Sequence, residues 1–278
     1  MQHTIQIDPK THIAYTDIGD GPPILFIHGL GSSQKAFVLN TSTLSQHYRC
    51  ISIDLPGYGN SSKSEVRVGI SFFATRILQL LDLLQLPEVT LIGHSMGAQV
   101  ALKMVHIEPA IATHLVLLAP AGFETFNGLE RQWFESITQP NVLKNASRDQ
   151  IRQSFLINFH AFPYEANFML EDRLQMMQSD HAMDFYCELI YYATMSMLEE
   201  PVFQLLDSIT QKALIIFGQE DQLVPNQVLH PGETTRSIAQ RGASRLANSH
   251  LIMVPMAGHF VMFEKPKLVN QAIHEFLA

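Results

Sequence analysis

Short apolar runs alternate along the chain with longer stretches whose apolar residues recur every three or four positions. Runs such as residues 24–27, 89–92 and 213–217 are typical of strands buried on both faces of a parallel sheet. The spacing from 73 to 84 is typical of an amphipathic helix, which Ser71 is predicted to cap at its N-terminus. This alternation predicts an α/β fold with a mostly parallel central sheet and helices on both faces.

The same patterns predict further elements of this sheet. Additional strands are expected at residues 4–7, 13–18, 48–53, 115–119 and 251–254. Additional helices are expected at 98–106, at 235–246 and after Pro266, because proline is well tolerated in the first turn of a helix.

The alternation stops after residues 120–122, which read Pro-Ala-Gly. From 123 to about 206 no buried strand is predicted, and the segment consists of amphipathic stretches rich in Phe, Tyr, Met and Leu. We interpret residues 123–206 as a helical cap inserted between two strands of the core. The core domain is then formed by residues 1–122 and 207–278.

Composition narrows the class of partner. The chain has 278 residues and a formal net charge of −8 with no run of Lys or Arg, which argues against nucleic acid or an anionic membrane surface as partner. Cys50 and Cys187 lie in apolar contexts and are expected to be buried free thiols. No secretory signal is apparent, and no apolar stretch approaches the roughly 18 residues that span a bilayer. We therefore expect a cytoplasmic protein without a membrane span.

One motif carries a specific chemical signal. Gly93-His94-Ser95-Met96-Gly97 follows a predicted strand and precedes a predicted helix. A serine on such a sharp turn adopts strained backbone angles, so the residues two positions away on each side must be small. The helix N-terminus beyond it favours developing negative charge. This stretch resembles the nucleophile elbow of the α/β-hydrolase family.

A serine nucleophile needs a base, and the base needs an orienting carboxylate. Ser95, Asp221 and His259 occur in the chain order that the resemblance implies for a catalytic triad. Asp221 lies in Gly-Gln-Glu-Asp-x-x-x-Pro, which resembles the family's acid loop, with Glu220 as the competing carboxylate. His259 lies in Ala-Gly-His-Phe, directly after the last predicted strand, and matches the family's base position.

The stretch His28-Gly29-Leu30-Gly31 resembles the family's oxyanion loop. The resemblance implies that the backbone N–H groups of Leu30 and Met96 donate to the developing oxyanion. The side chain of His28 is expected to brace the loop, and that of His94 is expected to pack in the core.

These residues predict a serine hydrolase that cleaves an ester-type bond of a small, largely apolar acyl substrate through an acyl-enzyme intermediate, as carboxylesterases do. We expect no cofactor and no metal ion, since neither a phosphate-cradling loop with Lys nor a metal-ligand spacing is present. The same triad would also serve a carbon–carbon bond hydrolase of meta-cleavage products, a lactonase or a perhydrolase. A ligand receptor with little turnover is the alternative of another class.

Two segments bear on specificity. Residues 224–248 are longer than the resemblance implies, and we expect them to reshape the rim of the pocket. The apolar cap predicts a preference for uncharged acyl groups. A preference for an anionic acyl group would instead point to an inward-facing cap arginine, for which the candidates are Arg131, Arg148, Arg152 and Arg173.

Overall fold

The continuous apolar runs become the inner strands of an eight-stranded sheet in the computed structural model, which describes residues 2–278. The strands are β1 Gln2–Asp8, β2 Thr11–Ile18, β3 Pro23–Ile27, β4 Arg49–Ile53, β5 Val89–His94, β6 Ala112–Leu118, β7 Lys212–Gly218 and β8 Ser249–Val254. They lie in the order β1-β2-β4-β3-β5-β6-β7-β8. The first two pairings in this order, β1 with β2 and β2 with β4, are antiparallel, and all later pairings are parallel. The predicted fold class is confirmed.

Eleven helices accompany the strands in residues 2–278: α1 Val38–Leu44, α2 Ile70–Leu83, α3 Met96–Ile107, α4 Gly128–Thr138, α5 Pro140–Lys144, α6 Arg148–Leu156, α7 Asn167–Met176, α8 Asp180–Glu199, α9 Thr235–Ala243, α10 Val261–Glu264 and α11 Pro266–Leu277. Successive residues of a strand point to opposite faces of the sheet. Accordingly Leu25 and Ile27 pack in one hydrophobic core with α2 and α3, whereas Ile24 and Phe26 pack in a second core with α10 and α11. Helices therefore cover both faces of the sheet.

The prediction that Ser71 caps α2 is wrong. The helix begins at Ile70 and its N-cap is Gly69. Its first N–H groups are satisfied from a distant part of the chain, because the Ile70 N–H donates to Ser196 Oγ (2.8 Å) and the Ser71 N–H donates to a Glu200 carboxylate oxygen (3.0 Å). A partner more than a hundred residues away in the chain thus replaces the local capping residue.

The segment between β6 and β7 contains five helices, α4 to α8, and no strand between residues 123 and 206. Local capping starts two of these helices, since Asn127 with Glu130 and Ser147 with Gln150 form reciprocal capping boxes at α4 and α6. Helix α8 reaches the core through Leu189 and Ala193, whereas α4 has no buried residue. The division into a core of 1–122 and 207–278 and a cap of 123–206 stays a prediction, and Met1 lies outside the described residues.

Both cysteines are buried and unpaired, as expected. Burial raises the pKa of the Cys50 thiol to about 12, so this side chain is an inert part of the core. Among residues 2–278, no helix combines the length and the apolar character that a bilayer crossing requires.

Candidate active site

The predicted strained turn is present between β5 and α3. From residue 89 to residue 100 every residue is buried except Ser95, which is half-exposed. Ser95 has φ 52° and ψ −117°, a conformation that costs a non-glycine residue free energy. A Cβ atom on Gly93 would lie 2.5 Å from the Ala98 backbone, and one on Gly97 would lie 2.1 Å from the Ile27 carbonyl oxygen. The two glycines thus make room for the turn that brings out Ser95.

The structure joins two of the predicted site residues directly. Asp221 follows β7, and its Oδ2 lies 2.7 Å from His259 Nδ1. The other carboxylate oxygen, Oδ1, accepts the N–H groups of Leu223 (2.8 Å) and Val224 (3.1 Å). Both members of the pair are buried, with 5% of Asp221 and 4% of His259 exposed. Because a carboxylate only accepts, Nδ1 carries the proton, which leaves Nε2 as the free basic nitrogen.

The competing carboxylate points elsewhere. Glu220 accepts the N–H of Ala257 at 3.1 Å and contributes to the loop before His259 rather than to its ring. Of the two adjacent carboxylates, Asp221 is therefore the one that can orient the imidazole.

Ser95 and His259 line the same cavity. The hydrogen bonds of His259 within the described part of the chain run from its ring to Asp221 and from the His94 ring to its carbonyl oxygen, and none involves Ser95 Oγ. Contacts between a nucleophile and its base are often long in an enzyme without substrate. The structure thus brings all three predicted residues to one site and links two of them by a hydrogen bond.

His94 has a role that the sequence did not reveal. Its Nε2 lies 3.0 Å from the His259 carbonyl oxygen, so Nε2 is the donor. Burial, followed by the nearby His259, lowers the pKa of His94 well below its usual value, which keeps this imidazole neutral. The neutral His94 ring, next to Ser95 in the chain, therefore fixes the backbone of His259, the residue expected to act as base.

Glu264 also fixes this loop. One carboxylate oxygen accepts the Gly258 N–H at 2.7 Å, and the other accepts the N–H groups of His160 (3.1 Å) and Ala161 (2.9 Å). The last two residues belong to the segment between α6 and α7. One carboxylate therefore ties the loop of His259 to the inserted helices.

The loop after β3 lies beside Ser95. A Cβ atom on Gly29 would lie 3.1 Å from Ser95 Cβ. His28 braces this loop as expected, because its Nδ1 lies 2.8 Å from the Gly29 carbonyl oxygen and its Nε2 accepts the Leu55 N–H at 3.0 Å. Leu30 lines the cavity, and Met96 is the first residue of α3, where N–H groups have no partner within the helix. The assignment of these two N–H groups as oxyanion donors stays a prediction.

The cavity has a volume of about 1470 Å³ and lies between the carboxyl ends of the strands and the inserted helices. Most of the large side chains that line it from the inserted segment are apolar: Phe126, Phe134, Phe155, Phe168, Met169, Met176, Phe185, Ile190, Met197 and Leu198. Two of the four candidate arginines, Arg131 and Arg173, also line it, whereas Arg148 and Arg152 do not. The site can therefore hold a predominantly apolar molecule next to a small number of charges.

The segment 224–248, which is longer than the resemblance implies, contacts the rim of this cavity through His230. His230 Nδ1 lies 2.5 Å from Glu124 Oε1, and its Nε2 lies 3.3 Å from Glu130 Oε1 at the start of α4. Burial opposes a charge on this imidazole, but the hydrogen bond and charge of Glu124, with those of Glu130, raise the pKa of His230. Burial raises the pKa of Glu124. His230 thus bridges the loop after β6 and the first inserted helix.

With the geometry described, comparison with known proteins identifies the family. Residues 22–266 match the model of the alpha/beta hydrolase fold family. The chain belongs to this family. A probable hydrolytic enzyme from Pseudomonas aeruginosa PAO1 has the same fold, with a TM-score of 0.89 and 21% identity over 100% of this chain and 94% of that one.

Two relatives illustrate the range of activities in the family. The dihydrolipoyllysine-residue acetyltransferase component of the acetoin cleaving system of Pseudomonas putida is 28% identical over 259 residues, which are 92% of this α/β-hydrolase chain and 64% of that relative. The chain therefore spans less than two thirds of that relative's length. The 2-hydroxy-6-oxo-2,4-heptadienoate hydrolase of Pseudomonas putida F1 is 24% identical over 286 residues, covering 94% of this chain and 91% of that one.

Proposed function

We propose that this α/β-hydrolase is a serine hydrolase that cleaves an ester bond of a small, largely apolar acyl compound. Ser95 Oγ attacks the carbonyl carbon while His259 Nε2 accepts the hydroxyl proton. The imidazolium then donates that proton to the leaving alcohol, and an acyl-enzyme remains. Water, deprotonated by His259, hydrolyses the acyl-enzyme in the same way. Asp221 orients the imidazole and stabilises its charged form.

The observation that carries this proposal is the buried Asp221–His259 pair, 2.7 Å apart, on the cavity into which the strained turn presents Ser95. The N–H groups of Leu30 and Met96 are proposed to stabilise the oxyanion, where each such donor contributes on the order of 10²–10³ in rate. Residues 123–206 act as the cap that selects the acyl group, since they supply the apolar lining.

A carbon–carbon bond hydrolase is the second candidate. It is favoured by the relative that hydrolyses 2-hydroxy-6-oxo-2,4-heptadienoate and by the presence of Arg131 and Arg173 in the cavity lining, because such a substrate carries a carboxylate. The large share of apolar side chains in the lining favours the esterase, since an unpaired carboxylate in apolar surroundings costs more than a buried methylene gains.

The test of the chemistry is a comparison of three variants on a chromogenic ester of an uncharged acid. Ser95→Ala should lower kcat by roughly 10⁶, as loss of the triad serine does in a well-studied protease. Asp221→Asn should lower kcat by roughly 10⁴ by imposing the wrong imidazole tautomer. Glu220→Gln is the matched control and should change kcat far less. Retention of more than about a tenth of the activity by Ser95→Ala contradicts the proposal.

The same protein assayed with a vinylogous 1,5-diketone acid separates the two candidates. Turnover of neutral esters with a much lower kcat/KM for the diketone acid is expected. If kcat/KM is instead higher for the diketone acid than for the neutral esters, and Ser95→Ala abolishes that turnover, the protein is a carbon–carbon bond hydrolase.

A further inference from the structure

The loop that carries the proposed oxyanion donor is held from two sides. On the core side, Gly29 is fixed through its carbonyl oxygen, which lies 2.8 Å from His28 Nδ1 and accepts the Ser32 N–H at 3.3 Å. This last bond closes a turn over Leu30 and Gly31. On the other side, the Gly31 carbonyl oxygen accepts a hydrogen bond from Arg173 Nη2 at 2.5 Å. Arg173 lies on α7, in the inserted segment more than 140 residues away in the chain.

Gly31 is adapted to this contact. Its φ is +63°, and a Cβ atom there would lie 2.8 Å from Arg173 Nη2 and 2.9 Å from the Tyr186 hydroxyl oxygen. Only a residue without a side chain lets the guanidinium approach the backbone so closely in this conformation. The loop backbone and the inserted helices are therefore in direct contact at Gly31.

The guanidinium is itself held in place by aromatic rings. Its central carbon lies 4.9 Å from the centroid of the Tyr186 ring and 6.0 Å from that of Phe155. Its neighbour Asp172 is paired with Lys35 at 2.8 Å, and no ion pair within residues 2–278 includes Arg173. A planar guanidinium stacked on rings loses little freedom when it donates a hydrogen bond. The carbonyl oxygen of Gly31 is thus its polar partner in the cavity wall.

We propose that Arg173 is a positioning residue that fixes the orientation of the Leu30 N–H toward the oxyanion. This inference rests on the proposed serine hydrolase function. The Gly31 carbonyl, which Arg173 holds, shares its peptide plane with the Ser32 N–H, and that N–H donates to the Gly29 carbonyl oxygen. The Gly29 carbonyl in turn shares its peptide plane with the Leu30 N–H. Loss of the Arg173 hydrogen bond therefore loosens the Ser32 N–H that holds this plane.

The experiment compares Arg173→Met, Arg173→Lys and the control Arg152→Met, which removes the same charge from an exposed position on α6 that does not line the cavity. For each variant, kcat and KM are measured on neutral esters and on an ester whose acyl group carries a carboxylate. The affinity of an alkyl boronic acid, which forms a tetrahedral adduct with a nucleophilic serine, is measured as well. Thermal unfolding midpoints report any loss of stability. Ser95→Ala is assayed in parallel.

Arg173→Met is expected to lower kcat about 10-fold or more, but by less than the 10²–10³-fold loss in kcat that removal of an oxyanion donor causes. The KM should change less than about threefold. The affinity for the boronic acid should fall by the same factor. Arg173→Lys, which keeps a charged donor, or millimolar guanidinium added to Arg173→Met, should restore part of the rate. Arg152→Met should retain the wild-type kcat.

Three results overturn the inference. The first is a lower unfolding midpoint of Arg173→Met with an unchanged kcat, which assigns a purely structural role. The second is a rise in KM confined to substrates that carry a carboxylate, which makes Arg173 an anion-binding residue. The third is an inactive Arg173→Met variant while Arg173→Lys is equally inactive and added guanidinium restores no activity to Arg173→Met. Wild-type activity of Arg173→Met beside an inactive Ser95→Ala refutes the inference alone, whereas an active Ser95→Ala refutes the proposed function.

Discussion

At the scale of single residues, the geometry of Ser95 is set by neighbours that have no functional groups. Gly97 lies against the end of β3, so close that a Cβ atom would be 2.1 Å from the Ile27 carbonyl oxygen and 2.6 Å from that of His28. These oxygens belong to the backbone, so a rotamer change cannot relieve the clash. Any side chain at Gly97 must push α3 away from β3 and thereby displace Ser95.

Gly97→Ala is therefore expected to destabilise the fold by at least about 2 kcal/mol, at the upper end of the cost of overpacking a core. Gly128→Ala is the matched control, because a Cβ atom at this first residue of α4 meets nothing within 4 Å and alanine favours the helix. Denaturant unfolding of both variants measures the difference. Equal stability of the two variants would show that α3 shifts without cost and would contradict the account of the elbow.

The individual residues that could be predicted from the sequence each lie in a recognisable local motif. Ser95, Asp221 and His259 each follow a strand within a short recognisable stretch, and the Asp221–His259 hydrogen bond agrees with the choice of Asp221 over Glu220. His94 and Arg173 act on backbone carbonyl groups far away in the chain. No local pattern encodes such a partner, and the sequence named Arg173 only among four candidates for binding an anionic acyl group.

At the scale of elements, the strands were predictable because their apolar runs are continuous, and the start of α2 was not. Its N-cap is a glycine, and its first N–H groups bind Ser196 and Glu200 at the end of α8. Helix α9 ends at Ala243 rather than at Leu246, since Ser244 provides its C-cap. Such termini depend on tertiary partners or on single capping residues, which periodicity does not report.

The structure also shows how the segment around His230 is held in place. Its imidazole stacks on the Phe126 ring, with centroids 5.4 Å apart, and bridges the carboxylates of Glu124 and Glu130. The hydrogen bonds and charges of Glu124 and Glu130 raise the pKa of His230 despite its burial. A raised pKa means that the folded state binds the proton more tightly than the unfolded chain does. The stabilisation is thus complete below a pH of about 6.5 and is lost as the pH rises through the folded-state value.

His230→Gln is accordingly expected to lower the unfolding midpoint more at pH 6 than at pH 9. The difference should be a few degrees, since 1 kcal/mol corresponds to roughly 2–4 °C in a chain of this size. His250→Gln is the control, because His250 is exposed and takes part in no ion pair of residues 2–278. His28 and His94 act with the opposite sign: burial lowers the pKa of both, so they destabilise the fold below a pH of about 6.5. If the loss of unfolding midpoint in His230→Gln instead grows toward pH 9, the His230 bridge does not stabilise the fold in this way.

At the scale of the whole molecule, Ser95, Asp221 and His259 follow strands of the sheet, and the inserted helices supply much of the cavity wall. The hydrogen bonds that join these parts at the site include those of Glu264 with the backbone at His160 and Ala161 and that of Arg173 with Gly31. The fold class could be predicted as a whole because it follows from the alternation of strands and helices. The cavity could not be predicted, because its shape depends on how the five helices α4 to α8 pack against one another and against the core.

The cavity leads to a prediction about substrate length. Its volume of about 1470 Å³ exceeds what an acetyl ester fills, and aromatic and aliphatic side chains line much of it. Each methylene that moves from water into such a lining contributes about 0.8 kcal/mol, or about a fourfold gain in kcat/KM when the contact is kept in the transition state. We therefore expect kcat/KM to rise from acetyl through butanoyl to hexanoyl esters of one chromogenic alcohol, with Ser95→Ala as the blank.

A matched pair of substrates separates length from charge. A pentanoyl ester and a monoester of glutaric acid differ at the far end of the acyl chain, where the second carries a carboxylate. If Arg173 is engaged with the Gly31 carbonyl and the Tyr186 ring, as the distances indicate, this carboxylate loses water without gaining Arg173 as a partner. The glutaric monoester should then have the lower kcat/KM, mainly through a higher KM. If it is instead the better substrate, and Arg173→Met removes that advantage, the guanidinium leaves the loop to bind the anion, and the apolar preference is wrong.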